Sequence, residues 1–322
     1  MTIVVISTGG TIASTETADG AAAPDLTGEE LVAAIPELGS VADVRTHEFA
    51  NVPSPHLTID RMQALSELCA EYDADTSIDG IVVTHGTDVL EETGYFLDLT
   101  YGGETPVVLT GAMRNPSLAS PDGPGNLLAS VRTAASDGAA GRGVLVCLDD
   151  RVHAARDVTK MNTMALDSFR SPEFGPLATV DESRVVWHRA VADGGPVFDV
   201  SDESLTNDVH AVTVTAEMPV AQLDCAREAD GLCLATTGAG HIPPTIVPAL
   251  EELRDAGVPL VATSRCPEGR LARETYGFEG SERTLQELEI YYAARNLQKT
   301  RIATVVGLAT DALDELFERP ER

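Results

Sequence analysis

Lysine is almost missing from this chain. Lys160 and Lys299 are the only two in 322 residues, and 22 Lys plus Arg stand against 51 Asp plus Glu, for a formal net charge of -29. A surface so short of positive charge repels polyanions and anionic lipid, which argues against nucleic acid or a membrane as partner. Such an excess of one sign repels itself unless salt screens it, so the composition reads as adaptation to a salty cytoplasm or, more simply, as an acidic protein that tolerates its charge. Paired cysteines are missing too. Cys69, Cys147, Cys225, Cys233 and Cys266 lie far apart with no CxxC, which excludes a disulfide scaffold or a zinc cluster and suits free thiols in a reducing compartment. No apolar run reaches the length of a membrane span, and the N-terminal MTIVVISTGG has no basic segment ahead of it. The expected location is the cytoplasm.

What is present is ample apolar material, 43% of residues, recurring along the whole chain in a length that exceeds one ordinary core. Residues 2–7 (TIVVIS) read as a first strand ending in Gly9-Gly10. Residues 14–25, small and polar, suit a mobile surface loop. Thr27 and Glu30 form a capping-box pattern ahead of a helix to Ile35. A second helix is expected over 58–73 from Thr58, with Met62, Leu65 and Leu68 on one face. Strands follow at 78–84, 106–110 and 143–148, with helices over Glu91–Leu99 and 125–137 between them. Near-continuous apolar strands alternating with helices predict an α/β fold with a mostly parallel N-terminal sheet covered by helices. The stretch 187–206, broken by Gly194-Gly195-Pro196 and acidic residues, reads as a linker between domains at 1–186 and 207–322. The second, smaller α/β domain is expected to carry strands at 209–215, 231–236 and 258–263 and helices at 245–256 and 284–296.

In such sheets ligands bind beyond the carboxyl ends of the strands, where three short polar segments are expected. The first, STGGTIA, lacks the glycine spacing of a dinucleotide or phosphate loop. Its glycines are better read as letting backbone approach a small ligand beside Thr11, although an ordinary turn with an inert threonine is the simpler account. In HGTDVLEE, Thr87 and Asp88 could hold water or a substrate ammonium, or merely cap the helix that follows. Lys160, in ARDVTKMNT, could be a surface ion pair, or a shielded amine able to take a proton. A threonine needs such a base to become a useful nucleophile, so Thr11, Thr87 and Lys160 are chemically complete only if the fold gathers them. His47, His56, His153, His188 and His210 lack metal-ligand spacing; His85 reads as a support for the Thr87 loop, and His241, after Thr237-Gly238-Ala239-Gly240, as a structural residue near a subunit interface.

These segments together resemble the bacterial-type L-asparaginase family. Thr8-Gly9-Gly10-Thr11-Ile12-Ala13 is similar to its first signature, and His85-Gly86-Thr87-Asp88 with Glu91-Glu92-Thr93 to its second. Thr110-Gly111-Ala112-Met113-Arg114, Asp157-Val158-Thr159-Lys160 with Asn162-Thr163, Thr275 to Glu282, and Leu297-Gln298-Lys299-Thr300-Arg301 continue the likeness nearly end to end. The resemblance implies a doubly wound N-terminal catalytic domain with a smaller C-terminal one, no cofactor, and a homodimer or homotetramer whose sites are completed across subunits; no metal is expected, since covalent catalysis can hydrolyse an amide without one. It also implies hydrolysis of L-asparagine to L-aspartate and ammonia, with minor activity on glutamine. Thr11 would be the nucleophile, with Thr87, Asp88 and Lys160 as its catalytic partners. Asp88 would meet the substrate amine, Ser54 the α-carboxylate, backbone N–H around Ala112 the oxyanion, and Glu282 would come from a neighbouring subunit. The chain departs from the family at Pro53, where an aspartate usually precedes the serine. It also has no tyrosine before Tyr72, so Thr15 is the candidate substitute for a loop hydroxyl. Two other readings stay open: the glutamine-deamidating subunit of a tRNA-dependent amidotransferase, and a non-enzymatic amino-acid binding or regulatory protein on the same scaffold.

Overall fold

The structure, a computed structural model, describes residues 1–16, 22–190 and 195–319. Residues 17–21 of the expected surface loop and 191–194 of the expected linker therefore lie outside the described residues. The chain divides into two compact units, Met1–Val197 and Phe198–Arg322.

The first unit runs β1 (Thr2–Gly9), β2 (Ser14–Glu16), β3 (Ala22–Pro24), α1 (Gly28–Ala33), β4 (Asp43–Val52), α2 (Ile59–Ala74), β5 (Gly80–Thr84), α3 (Leu90–Thr100), β6 (Val107–Thr110) and α4 (Gly123–Ala134). It continues through β7 (Leu145–Leu148), β8 (Arg151–Ala154), β9 (Thr159–Lys160), β10 (Phe169–Arg170), β11 (Ala178–Asp181) and β12 (Arg184–Trp187). Among the described residues its main sheet has eight strands in the order β12-β11-β8-β7-β6-β5-β1-β4. The five from β7 to β4 are parallel, and β8, β11 and β12 extend the sheet antiparallel.

Residue alternation explains why the sheet is covered on both faces. Ile3 and Val5 of β1, with Val82, Val108 and Leu145, pack with Leu31 of α1 and Leu127 and Val131 of α4. Val4 and Ile6, with Ile81, Val83, Leu109 and Val146, pack with Leu65 and Cys69 of α2 and Leu90 and Leu97 of α3. Strands buried on both sides need apolar residues at every position, and each such side chain contributes about 1.5–3 kcal/mol by leaving water. The chain begins in β1, adds β4 on one side, then crosses to β5 on the other. That reversal opens a crevice at the carboxyl ends of β1 and β5.

Two local expectations hold in detail. Thr27 and Glu30 form a reciprocal capping box on α1, and the Thr58 side chain caps α2. The surface loop differs: its described ends, β2 and β3, pair antiparallel with Ser14 opposite Pro24.

The second unit contains β13 (Val209–Thr213), β14 (Gly231–Thr236), α5 (Val247–Asp255), β15 (Leu260–Ser264), α6 (Glu282–Glu287), β16 (Tyr291–Tyr292), α7 (Leu297–Ala309) and α8 (Leu313–Leu316). Its strands form a parallel sheet in chain order. The helix expected over 284–296 does not run through. It stops at Glu287, Glu289 takes a left-handed φ of 55°, and Tyr291 and Tyr292 join the sheet beside Val261 and Ala262. Both tyrosines are buried there, and consecutive aromatics fit a strand better than a helix. Asn296 then caps a separate helix, α7, by accepting from the Lys299 N–H.

Candidate active site

Four loops at the carboxyl ends of β1, β4, β5 and β6 carry Thr11, Ser54, Thr87 with Asp88, and Ala112. Glycines bring the first three into contact. Gly10 has φ 83°, and a Cβ there would overlap the Cα and N of Gly86. A Cβ on Gly86 would in turn lie 2.7 Å from Ser54 Cβ and 3.1 Å from Gly10 Cα. Only two bare Cα atoms allow the β1 and β5 loops to touch backbone to backbone, and that contact sets Thr11 one residue from the Thr87 loop's anchor. The Gly10 N–H donates to Val52 O (3.2 Å), tying the same loop to the end of β4.

Ser54 is buried and its Oγ accepts from the Asp88 N–H at 3.2 Å, linking the β4 loop to the β5 loop. Lys160, on the short β9–β10 ladder opposite Phe169, reaches the same place. Its Nζ donates to Thr87 Oγ1 (2.9 Å) and to Asp88 Oδ1 (2.7 Å). Neither Thr87 nor Asp88 caps the following helix: α3 has Val89 at its N-cap and no side-chain cap bond. The Lys160 side chain is 15% exposed, whereas Asp88 is 63% exposed. The pair is therefore half open, with a carboxylate edge available to a ligand cation.

His85 lies beneath this loop, fully buried. Burial drives its imidazole down to about 4 despite the bond between Nδ1 and the Gly86 carbonyl at 2.6 Å, so it is neutral near pH 7 and acts as a brace. The Ala112 loop has its own brace, which sequence reasoning missed. Asp122, at the N-cap of α4, accepts from the Met113 N–H (3.0 Å) and the Arg114 N–H (2.8 Å), and Asn126 Nδ2 donates to both Gly111 O and Asp122. Asp122 and Asn126 stand four apart at the start of a helix, a spacing that could have signalled one shared face. The Met113 N–H is thus engaged, and Ala112 beside it is fully buried.

Thr15 Oγ1 donates to Asp25 Oδ2 at 3.1 Å, across the base of the loop. Glu282 belongs to the second unit, as the first residue of α6, and is 1% exposed. The first unit thus gathers Ser54, Thr87, Asp88 and Lys160 by direct bonds and Thr11 through the glycine contact. Among the described residues no group of His, Cys, Asp and Glu could hold a metal ion, and no helix is long and apolar enough to cross a membrane.

Residues 2–192 match the family described as Asparaginase, N-terminal, and residues 208–316 the Glutaminase/Asparaginase C-terminal domain. A glutaminase-asparaginase of Pseudomonas fluorescens biotype A is 36% identical over 83% of this chain and 76% of the relative. A probable L-asparaginase of Deinococcus radiodurans is 35% identical over 98% of this chain and 96% of its own length. The crystal structure of a probable cytoplasmic L-asparaginase from Campylobacter jejuni superposes with a TM-score of 0.85 at 31% identity, covering 95% of this chain and 94% of that one.

Proposed function

Because the chain belongs to the asparaginase family, we propose that it hydrolyses the side-chain amide of L-asparagine to L-aspartate and ammonia through a threonine ester. The observation that carries the reading is Lys160 Nζ bonded at once to Thr87 and Asp88, beside Ser54 and the Thr11 turn. Thr11 Oγ1 attacks the amide carbon. The C–O bond forms first, giving a tetrahedral oxyanion; the hydroxyl proton passes to the nitrogen, the C–N bond breaks as the carbonyl re-forms, and ammonia departs. Thr87 then holds a water that cleaves the ester and regenerates Thr11. Lys160 manages the proton of Thr87 or the water, and Asp88 balances the charge beside it. The exposed edge of Asp88 receives the substrate's α-amino group and Ser54 its α-carboxylate. The Ala112 N–H receives the oxyanion of the tetrahedral intermediate, where preorganised donors lower the barrier most.

Glu282 completes the site from a neighbouring subunit, in a homodimer or homotetramer. The relatives named glutaminase-asparaginase favour glutamine as a second, poorer substrate. One methylene distinguishes the two amides, a difference of about 1–3 kcal/mol in a fitted pocket. The free thiols and the name of the Campylobacter jejuni neighbour support a cytoplasmic location, and the net charge of -29 supports a salt-rich one.

Ammonia release from L-asparagine and L-glutamine tests the reaction and its selectivity, and urea unfolding in molar KCl and in dilute buffer tests the adaptation to salt. Fast release from asparagine that vanishes in Thr11→Ala supports the reaction and its nucleophile. No release from either amide by folded protein refutes the hydrolase. Equal folding stability in both buffers refutes the adaptation to salt.

A further inference from the structure

In the second unit, a buried carboxylate has one oxygen satisfied and one open. Glu282 Oε1 accepts from the Thr275 N–H at 2.7 Å and from the Tyr276 N–H. Among the described residues Oε2 has no hydrogen-bond partner, and His241 Nε2, likewise without one, lies 3.7 Å away. Two unpaired polar atoms facing each other inside a protein are costly unless something completes them.

The surroundings fix the imidazole in this pose. His241 closes a tight loop at the carboxyl end of β14: its N–H donates to Thr237 O, its carbonyl accepts from the Thr237 N–H and Oγ1, and Gly240 takes φ 114°. The ring stands edge-on to Tyr276 (4.7 Å between centroids, 90°) and against Phe278 (4.9 Å). Both aromatic rings are substantially exposed, 44% and 52%, while Glu282 beneath them is shut away. Gly280, at φ 86°, packs so tightly on Ile242 O that a Cβ would overlap it, clamping the glutamate's loop to the histidine's. The charged and titratable groups facing His241 from these elements are Glu282 of α6 and Tyr276 of the loop before it.

We infer that His241 is a positioning residue: its Nε2 turns the open Oε2 of Glu282 and holds that carboxylate in one orientation, with Tyr276 and Phe278 as the walls that keep the imidazole in line. This goes beyond a structural reading of His241, and it rests on the reading that Glu282 serves the hydrolase site. The pull is visible on the carboxylate. Burial alone would raise it, yet the amides of Tyr276, Glu282 itself and Thr275, with the imidazole charge, outweigh burial and hold it below its ordinary value.

The test compares His241→Leu, His241→Gln, Glu282→Gln and the double variant His241→Leu/Glu282→Gln. His241→Leu lowers kcat/KM for L-asparagine about tenfold, within the range expected for coupled neighbours. His241→Gln, which keeps an N–H at the same reach, recovers most of that loss. The double variant is no worse than Glu282→Gln alone. Isotope-edited infrared titration of the carboxylate band that disappears in Glu282→Gln then reads the pair directly: its midpoint rises in His241→Leu. Additive losses, equal activity of the Leu and Gln variants, or an unmoved midpoint overturn the inference. A wild-type protein that releases no ammonia refutes the hydrolase reading instead, and the infrared midpoint still decides whether His241 acts on Glu282.

Discussion

Gly86→Ala is the substitution whose consequence the structure fixes most tightly. The new methyl would start 2.7 Å from Ser54 Cβ, 2.8 Å from Ser54 Oγ and 3.1 Å from Gly10 Cα. Carbon atoms rest at roughly 3.5 Å or more, so the β4 loop must retreat by roughly 0.8 Å, and the β1 loop by about half that. Gly86 does not have a left-handed φ, so the cost is steric alone. Crowding of this kind typically destabilises by about 1–3 kcal/mol. The effect on rate should be larger. Ser54 Oγ is bonded to the Asp88 N–H, and Asp88 to Lys160, so moving Ser54 disturbs the whole constellation. A misplacement near 1 Å costs about 100-fold in a reaction that depends on alignment.

Gly125→Ala provides the matched control. It lies in α4 with nothing within 4 Å of the added methyl, and should be neutral or stabilising by up to about 1 kcal/mol. Urea unfolding gives the stability difference and ammonia release the rate. A Gly86→Ala protein with wild-type kcat/KM and a midpoint equal to that of Gly125→Ala would refute the claim that bare backbone contact aligns the site.

Lys160→Met should lower kcat by about 100- to 10,000-fold, as for loss of a general base, with little change in unfolding midpoint because its partner Asp88 is largely exposed. His85 gives a pH signature. Its folded value near 4 lies below the ordinary 6.5, so between those limits the unfolded chain binds a proton that the folded chain refuses. Stability therefore falls as pH drops through that window, by up to about 3 kcal/mol. Urea midpoints at a series of pH values should give a linkage slope shallower by about one proton in His85→Asn; identical slopes would refute it. Thiol modification should divide the cysteines: Cys225 and Cys266 are exposed and react in native protein, whereas burial pushes Cys69 and Cys147 up to about 12 and Cys233 to about 11. More than two fast-reacting thiols per folded chain would contradict the packing.

Much of the sheet was legible because strands buried on both faces must be apolar throughout. The runs at β1, β5, β6 and β7 announce themselves. Strand β4, DVRTHEFANV, does not: it is the sheet's edge, largely exposed or half-exposed along its length, and carries charge that a buried strand could not. The same reasoning explains the misread helix at 284–296. Its charged and aromatic residues look amphipathic in one dimension, but the break at Glu289 and the capture of Tyr291 by β15 depend on a neighbour distant in sequence.

The site was legible as a set of residues and illegible as a geometry. Thr11, Thr87 and Lys160 could be singled out because their chemistry is complementary, yet each had a sound alternative as turn, cap or surface ion pair. What removes the alternatives lies between segments: the Gly10–Gly86 contact spans 76 positions and the Lys160–Thr87 bond 73. Neither leaves a periodic or local signal. A glycine kept bare for the sake of another loop looks in sequence like any turn glycine. The distinction appears only when a Cβ is placed on it and the atom it strikes is the other loop's backbone. That is also why Asp88 reads as a helix cap until the structure turns it toward Lys160. A capping carboxylate would have its acceptors spent on α3 N–H groups, whereas here α3 begins uncapped and the carboxylate stays largely exposed. The helix gives up roughly 1 kcal/mol of capping, a local sacrifice of stability that makes sense where the freed carboxylate has a ligand to meet.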